Sequence, residues 1–261
     1  MENDYLFKKW GLNSMFMNNF ITYEYNLIIP SYLSSKNIVM VGRADNKFKR
    51  FDIGIQSMEY IIEQIPDCKM GIISNTSNIY YLVNIIKNLN LENNILFYGF
   101  SITPDLYFNN ISLHIIPSIS ESFCLSLAET KIYGIPNILI GLNYISISKG
   151  GIIIIYDDRP EYIAKESIKI LLNTILKTEL GKKARYSMKQ FDNYKILNKW
   201  IKLILSIYYG DELYTYLKDI EIKISIKESL NILEKQIELL NMRKSQLFEL
   251  NNMLNISFFE N

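Results

Sequence analysis

The segment from Pro117 to Pro136 constrains the fold more than any other part of the chain. It follows a short apolar run, Leu113 to Ile116, whose length suits a buried strand, and after a turn it continues as an amphipathic segment. Gly134 closes that segment, and Pro136 prevents a helix from continuing past it. The order is therefore strand, loop, helix and the start of another strand, which predicts one repeat of a parallel α/β sheet.

Polar residues gather where this helix is predicted to begin. Glu121 and Glu129 bracket the start with seven residues between them, and Ser120 or Ser122 is predicted to cap the free N–H groups of the first turn. A helix N-terminus at the carboxyl end of a parallel strand is a common phosphate-binding position in α/β proteins. The segment is therefore a candidate for binding a phosphorylated ligand.

The same alternation of strand and helix continues over residues 36–210. Short apolar runs predict six strands, and apolar residues at helical spacing predict the helices that cover both faces of the sheet. The predicted strands are 37–41, 69–73, 95–98, 113–116, 137–140 and 151–156, and the last three predicted helices are 160–172, 179–191 and 199–209. The pattern predicts an α/β fold built on a Rossmann-like parallel sheet.

Three further motifs occur in order around these strands. The first is a pair, with Gly42-Arg43 after the first strand and Lys49 before the next helix. The second and third are the segments 94–99 and 105–107, which lie between that pair and Pro117. Together the four motifs resemble the C-terminal donor-binding domain of the family-4 retaining glycosyltransferases (glycosyl transferases group 1). That domain is one half of the GT-B fold, and its donor motif is usually Glu-x-Phe-Gly-x-x-x-x-Glu-Ala followed by Gly-x-Pro.

The resemblance implies that a sugar moves from a nucleoside diphosphate sugar to an acceptor hydroxyl with retention of anomeric configuration. Arg43 and Lys49 would hold the diphosphate, Glu121 would orient the sugar, and Glu129 would bind the ribose hydroxyls. Further substrate contacts are expected from Gly42, Ser122, Phe123, Cys124 and Leu125, the last three through their backbone N–H groups. Cys124 stands where the family commonly has glycine, and its β-carbon narrows the approach of the sugar.

Each of these residues also has a simpler interpretation. Lys49 and its basic neighbours fit a solvated turn, and Glu129 fits a carboxylate that is stabilised by the helix dipole alone. His114, the one histidine in the chain, lies in a predicted strand and is interpreted as a core residue. The chain shows no convincing metal-ligand spacing, so neither a metal nor any cofactor besides the donor substrate is expected.

Three regions follow from the pattern. Residues 1–35 are expected to be the remnant of an acceptor-binding domain and its linker, and residues 36–210 form the nucleotide-sugar-binding domain. Residues 211–261 are expected to be a helical extension. Nine positions from Ile226 to Leu254, all apolar except Lys244 and Asn251, step by four and three residues, which predicts a coiled coil that joins two copies or a partner chain. The alternative is a helix that folds back onto the globular domain.

These regions allow a rival function, in which the chain is a non-catalytic nucleotide-sugar-binding or interaction subunit that needs a partner chain for acceptor binding. The acceptor itself, whether glycan, lipid or protein, is not indicated by the sequence. A formal net charge of +1 gives no field that would attract nucleic acid. The two cysteines, Cys68 and Cys124, suggest no disulfide framework, and with no recognisable signal peptide a cytoplasmic location is expected.

Overall fold

The computed structural model describes residues 17–209, apart from gaps at 20, 22–24, 45–47, 76–78, 102 and 143–144. The strands are β1 (Ile38–Val41), β2 (Met70–Ile73), β3 (Ile95–Gly99), β4 (Leu113–Ile116), β5 (Asn137–Ile140) and β6 (Ile152–Ile155). The helices are α1 (Phe51–Gln64), α2 (Ile79–Asn88), α3 (Leu125–Ile132), α4 (Pro160–Leu172), α5 (Thr174–Ser187) and α6 (Asn193–Tyr209), with 3-10 turns at Pro104–Asn110 and Met188–Phe191. The described residues fall into two compact units, which divide after Ile196.

All six strands are parallel, and they lie in the order β3-β2-β1-β4-β5-β6. The chain moves outward from β1 to β3, returns to the centre at β4, and then moves outward on the other side. The direction therefore reverses between β1 and β4, and the loops that leave their carboxyl ends diverge and open a crevice. This topology confirms the predicted Rossmann-like sheet.

Helices cover both faces of the sheet, as predicted. Right-handed crossovers place α1 and α2 on one face and α3 on the other. The packing agrees, because α1 lies against α2 and α4, whereas α3 lies against α5. Every residue of β2, β4 and β5 is buried, which explains why these strands appear in the sequence as continuous apolar runs.

One polar cluster is enclosed between the sheet and α3. His114 Nδ1 lies 2.9 Å from Thr130 Oγ1 and 2.8 Å from Asn137 Oδ1, and the side chain is fully buried. Burial lowers the pKa of His114 to about 4, so the ring is neutral near pH 7. His114 is therefore the core residue that the sequence predicted, and it is not placed to act as a general base.

Two helices begin earlier than predicted. The helix predicted at 179–191 begins at Thr174, because Asn173 Oδ1 accepts a hydrogen bond from Leu176 N at 2.9 Å. The helix predicted at 199–209 begins at Asn193, because Asp192 Oδ1 accepts from Tyr194 N at 3.0 Å and from Lys195 N at 3.3 Å. Apolar spacing does not reveal such polar caps, which set the true starts.

The far end of α3 is held tightly. Gly134 follows the helix with φ +71°. A β-carbon on Gly181 of α5 would collide with the carbonyl oxygen of Gly134, so the two backbones are in direct contact. The buried Lys131 donates through Nζ to the carbonyl oxygens of Ile147 at 2.7 Å and Lys149 at 2.6 Å. Burial lowers the pKa of Lys131 to about 7. The end of α3 is therefore fixed both to α5 and to the loop that precedes β6.

The remaining predictions concern the ends of the chain. The coiled coil predicted at 226–254 and most of the predicted remnant at 1–35 lie outside the described residues. Crossing a bilayer takes about 20 consecutive apolar residues, and the helices within the described range contain no such stretch.

Candidate functional site

A cavity of about 660 Å³ occupies the crevice between the carboxyl ends of β1 and β4. Its walls come mainly from the loop after β1 and from the loop and first turns after β4. The nine residues that the sequence singled out all line it: Gly42, Arg43, Lys49, Glu121, Ser122, Phe123, Cys124, Leu125 and Glu129. The sheet therefore brings together two groups of residues that lie about 80 positions apart in the sequence.

The two walls are joined by a charged contact. Lys49 Nζ donates to Glu121 Oε1 at 2.5 Å, and the side chains are only 19% and 10% exposed. A backbone hydrogen bond from Ile119 N to Phe48 O, 3.0 Å long, joins the same two loops. Because Lys49 is partly buried and paired across the crevice, it does not belong to a solvated basic turn. Arg43 is exposed and lines the same cavity.

Gly42 is needed where the chain leaves β1. Its φ is +152°, a conformation that side-chain-bearing residues rarely adopt. A β-carbon there would also lie 3.6 Å from Lys49 Cε, on the side that faces the crevice. Glycine therefore leaves the backbone accessible beside the ammonium group.

The predicted serine caps are wrong. The helix α3 begins at Leu125, so its N-cap is Cys124, and the side chain of Cys124 makes no capping hydrogen bond. Ser120 and Ser122 lie too early in the sequence to occupy that position. Cys124 has φ +66°, a left-handed conformation that costs a residue with a β-carbon roughly 1–2 kcal/mol. Its Sγ is buried, lies 3.5 Å from Ser126 Oγ, and has a pKa raised by burial to about 11.

Glu129 does not behave as a carboxylate stabilised by a helix dipole. Burial, with a smaller contribution from the negative charge of Asp105, raises the pKa of Glu129 to about 7. A helix dipole would act in the opposite direction near an N-terminus. Glu129 is therefore a largely buried acid that faces the cavity and is costly to ionise while the crevice is without a hydrogen-bonding ligand.

The sequence reasoning missed part of the lining. Further residues come from the loops after β2 and β3 and from other segments: Asn19, Val41, Ile73, Ser74, Asn75, Phe100, Ser101, Pro104 and Ser126. The position of Phe100 directly after β3 could have indicated it, because the carboxyl ends of parallel strands share one edge. None of the described residues in 94–99 or 105–107 lines the cavity. Asn94 instead donates to backbone oxygens of Pro66 and Cys68, and Tyr107 stacks on Tyr98.

Potential metal ligands are not grouped in this part of the molecule. Within the described residues, no three His, Cys, Asp or Glu side chains come together as a metal site would require. Among the described residues that line the cavity, Arg43 and Lys49 carry the positive charges.

The chain is similar in sequence to known proteins. The family model described as glycosyl transferases group 1 matches residues 28–187. The chain is 26% identical over 164 residues to the poly(ribitol-phosphate) alpha-N-acetylglucosaminyltransferase of Staphylococcus aureus (strain COL), and the match covers 60% of this chain and 33% of that protein. The chain thus spans about a third of the length of this curated relative.

Solved structures share the fold. A complex of S. aureus TarM with Fondaparinux, alpha-GlcNAc-glycerol and UDP superposes with a TM-score of 0.65 at 21% identity, covering 77% of this chain and 42% of that chain. Anabaena HepE in complex with UDP and glucose superposes with a TM-score of 0.60 at 17% identity, covering 70% of this chain and 55% of that chain. The family match extends over more than half of the 261 residues, and the chain therefore belongs to the glycosyl transferases group 1 family.

Proposed function

We propose that the crevice binds a nucleoside diphosphate sugar and that this chain is the donor-binding half of a retaining glycosyltransferase. One observation carries the proposal: two cations from the loop after β1 and two acids from the loop and helix after β4 line a single cavity, at the point where the strand order reverses. That point is where open α/β sheets bind their ligands. A nucleoside diphosphate sugar matches this arrangement, because its anionic diphosphate lies between the hydroxyl groups of the ribose and those of the sugar.

The diphosphate would lie beside Gly42, Arg43 and Lys49. Arg43 offers several N–H donors on an exposed side chain, and Lys49 supplies a point charge that is already partly desolvated. The backbone at Gly42 permits close approach, and the first turn of α3 presents N–H groups that its own cap side chain does not engage. These groups together form an electropositive cradle.

The acids would recognise hydroxyl groups. Glu121 lies at the cation side of the cavity, where it would orient the sugar, and Glu129 would accept hydrogen bonds from the ribose. Phe100, which is 73% exposed and lines the cavity, offers an aromatic face to the base. UDP is the first nucleotide to test, because both TarM and HepE are complexed with it.

In the proposed reaction the bond between the anomeric carbon and the diphosphate oxygen breaks, and its electron pair stays on the diphosphate. Arg43 and Lys49 would stabilise the charge that develops there, a role that preorganised cations perform well in a partly desolvated site. The acceptor oxygen forms the new bond on the same face of the sugar, and its proton passes to the departing diphosphate oxygen. The acceptor would be bound by other residues or by another chain.

The proposal is tested by titrating UDP into the full chain in a calorimeter and by measuring the release of sugar from UDP-sugars. Arg43→Ala is expected to weaken UDP binding about 10-fold, because it removes one charge-assisted contact at an exposed position. Lys165→Ala is the matched control, since Lys165 is an exposed cation on α4 that does not line the cavity. Failure of the parent chain to bind UDP, GDP or ADP would contradict the proposal.

A second function, binding of a nucleotide sugar without transfer, is favoured by Cys124. Its β-carbon lies at the start of α3, where the sugar would approach, and its thiol is buried and protonated at neutral pH. UDP binding that is lost in Arg43→Ala, with no turnover in the parent chain, would support this alternative. A partner chain or second copy joined through residues 226–254 would then supply the acceptor half.

Cys124→Gly separates the two functions. Glycine relieves the left-handed strain but gains entropy in the unfolded chain, so the free energy of unfolding is expected to change by less than about 1 kcal/mol. The smaller residue widens the sugar end of the crevice, so affinity for UDP-sugars should rise several-fold relative to affinity for UDP. Equal changes for UDP and UDP-sugars in calorimetry would show that residue 124 does not face the sugar.

A further inference from the structure

A second cavity lies at the opposite edge of the sheet from the crevice. It has a volume of about 580 Å³ and is lined by Tyr25, Lys149, Gly150, Lys182, Lys183, Arg185, Tyr186 and Ser187. Residues 149 and 150 directly precede β6, so they lie at the amino edge of a parallel sheet, whereas the crevice opens at the carboxyl edge. This basic cavity is therefore separate from the candidate donor site.

The charge around the cavity is not neutralised by the described residues that line it. Lys149, Lys182 and Lys183 are exposed, and no acidic side chain is among the described lining residues. Lys189 adds a fourth ammonium group, whose Nζ lies 5.7 Å from the ring centroid of Tyr25 and 5.1 Å from that of Tyr186. The surface thus combines lysines from two elements with two aromatic rings.

Arg185 gives this surface a fixed shape. Its guanidinium donates to the carbonyl oxygens of Ile132 at 2.6 Å, Tyr25 at 2.9 Å and Ile28 at 2.7 Å, and it stacks on the ring of Tyr25. These partners are uncharged, so they do not neutralise the positive charge of Arg185, which lines the cavity. The same contacts hold the segment 25–29 against α5.

The segment 25–29 also exposes large apolar side chains. Leu27 and Ile29 are 73% and 70% exposed, and Tyr186 on α5 is 70% exposed. A helix dipole favours basic residues in the last turn of α5, which would account for Arg185 alone. It does not account for Lys149 on another loop, nor for the exposed aliphatic side chains of the segment 25–29.

We propose that this face binds the surface of an anionic phospholipid membrane. The lysines around the cavity would contact headgroup phosphates, while Leu27, Ile29 and Tyr186 would enter the boundary between headgroups and acyl chains. A nucleic acid or a phosphate polymer could use the lysines and the rings, but it has no apolar region in which to bury Leu27 and Ile29. The aliphatic residues therefore favour a lipid surface. The inference does not depend on the proposed donor site.

The test is sedimentation of the full chain with vesicles of phosphatidylcholine alone and with vesicles containing about one third phosphatidylglycerol. Binding is expected only to the anionic vesicles and should decrease with salt. The variant Lys182→Gln/Lys183→Gln should bind roughly 25-fold more weakly, about fivefold for each lysine. The control Lys87→Gln/Lys165→Gln removes the same charge from exposed positions on α2 and α4, and it should bind as the parent does.

Several results would overturn the proposal. Equal binding to both kinds of vesicle, no binding to either, or an equal loss in the control variant would each do so. Leu27→Ser should weaken vesicle binding without changing its salt dependence, and an unchanged affinity would contradict the apolar contribution. If a single-stranded oligonucleotide binds with the same dependence on Lys182 and Lys183 while vesicles do not, the face binds a nucleic acid and the proposal is wrong.

Discussion

Replacing Lys49 by alanine is expected to weaken UDP binding by about 100-fold, which is more than the effect of any other single substitution in the crevice. The variant loses the ammonium group that would contact the diphosphate. It also removes the ammonium group that lies 2.5 Å from the carboxylate of Glu121, a side chain that is only 10% exposed. The remaining carboxylate would then repel the diphosphate. The dissociation constant is measured by calorimetry at low and moderate salt.

The double variant Lys49→Ala/Glu121→Gln separates these two causes. Glutamine removes the repelling charge while it keeps the shape of Glu121, so about tenfold of the lost affinity should return. Lys165→Ala is again the control for a cation removed elsewhere. If the double variant binds no better than Lys49→Ala, then Glu121 does not face the diphosphate, and the assigned positions of sugar and phosphate would have to be exchanged or abandoned.

Glu129→Gln is expected to make the ligand-free protein more stable above pH 7 while it weakens UDP binding. The pKa of Glu129 is raised from 4.5 to about 7, so the folded state holds an additional proton between these values. The free energy of unfolding of the parent should therefore fall as the pH rises from about 4.5 through 7. Glutamine abolishes this decrease, so above pH 7 the variant should be more stable by about 3 kcal/mol. At pH 4 the two proteins should be nearly equal.

Binding should show the matching pH dependence. Ribose hydroxyls can donate to the ionised carboxylate, so the affinity of the parent for UDP should increase with pH up to about 7 and then level off. Glu129→Gln should show a smaller rise, the part that comes from the second ionisation of the terminal phosphate of UDP, and should bind UDP roughly 10-fold more weakly at pH 8. Urea denaturation and calorimetry at pH 4, 6 and 8 measure both effects. A stability difference that is the same at pH 4 and pH 8 would show that Glu129 does not carry the raised pKa.

The sheet could be predicted from the sequence because its strands are buried on both faces. Runs such as Leu113–Ile116 and Asn137–Ile140 contain few polar residues, and each is bounded by residues that end a strand. The helix starts at Thr174 and Asn193 could not be predicted in this way. They depend on Asn173 and Asp192, whose side chains accept hydrogen bonds from backbone N–H groups of the first helical turn. The spacing of apolar residues does not indicate such caps.

The sequence was sufficient to predict that the candidate site residues lie at one edge of the sheet, but not which of them contact each other. Strand order alone brings the loop after β1 beside the loop after β4, so Arg43 and Glu121 could be assigned to one edge from the sequence. The contact between Lys49 and Glu121 depends on the conformations of two loops, which no periodicity encodes. The left-handed backbone conformation at Cys124 could not be predicted from the sequence either, because cysteine, unlike glycine, does not indicate that conformation.

The direct contact between the backbones at Gly134 and Gly181 limits how this scaffold could adapt to a different sugar in the proposed donor site. Because no side chain separates them, α3 cannot slide or tilt toward α5 without a collision of the two backbones. The hydrogen bonds of Lys131 to the loop before β6 hold the same end of α3. The wall that carries Glu129 is therefore inflexible. Any evolutionary shift toward a bulkier or differently linked sugar is expected to arise through replacements in the loop after β1 and at residues 121–124, with the helix itself conserved in position.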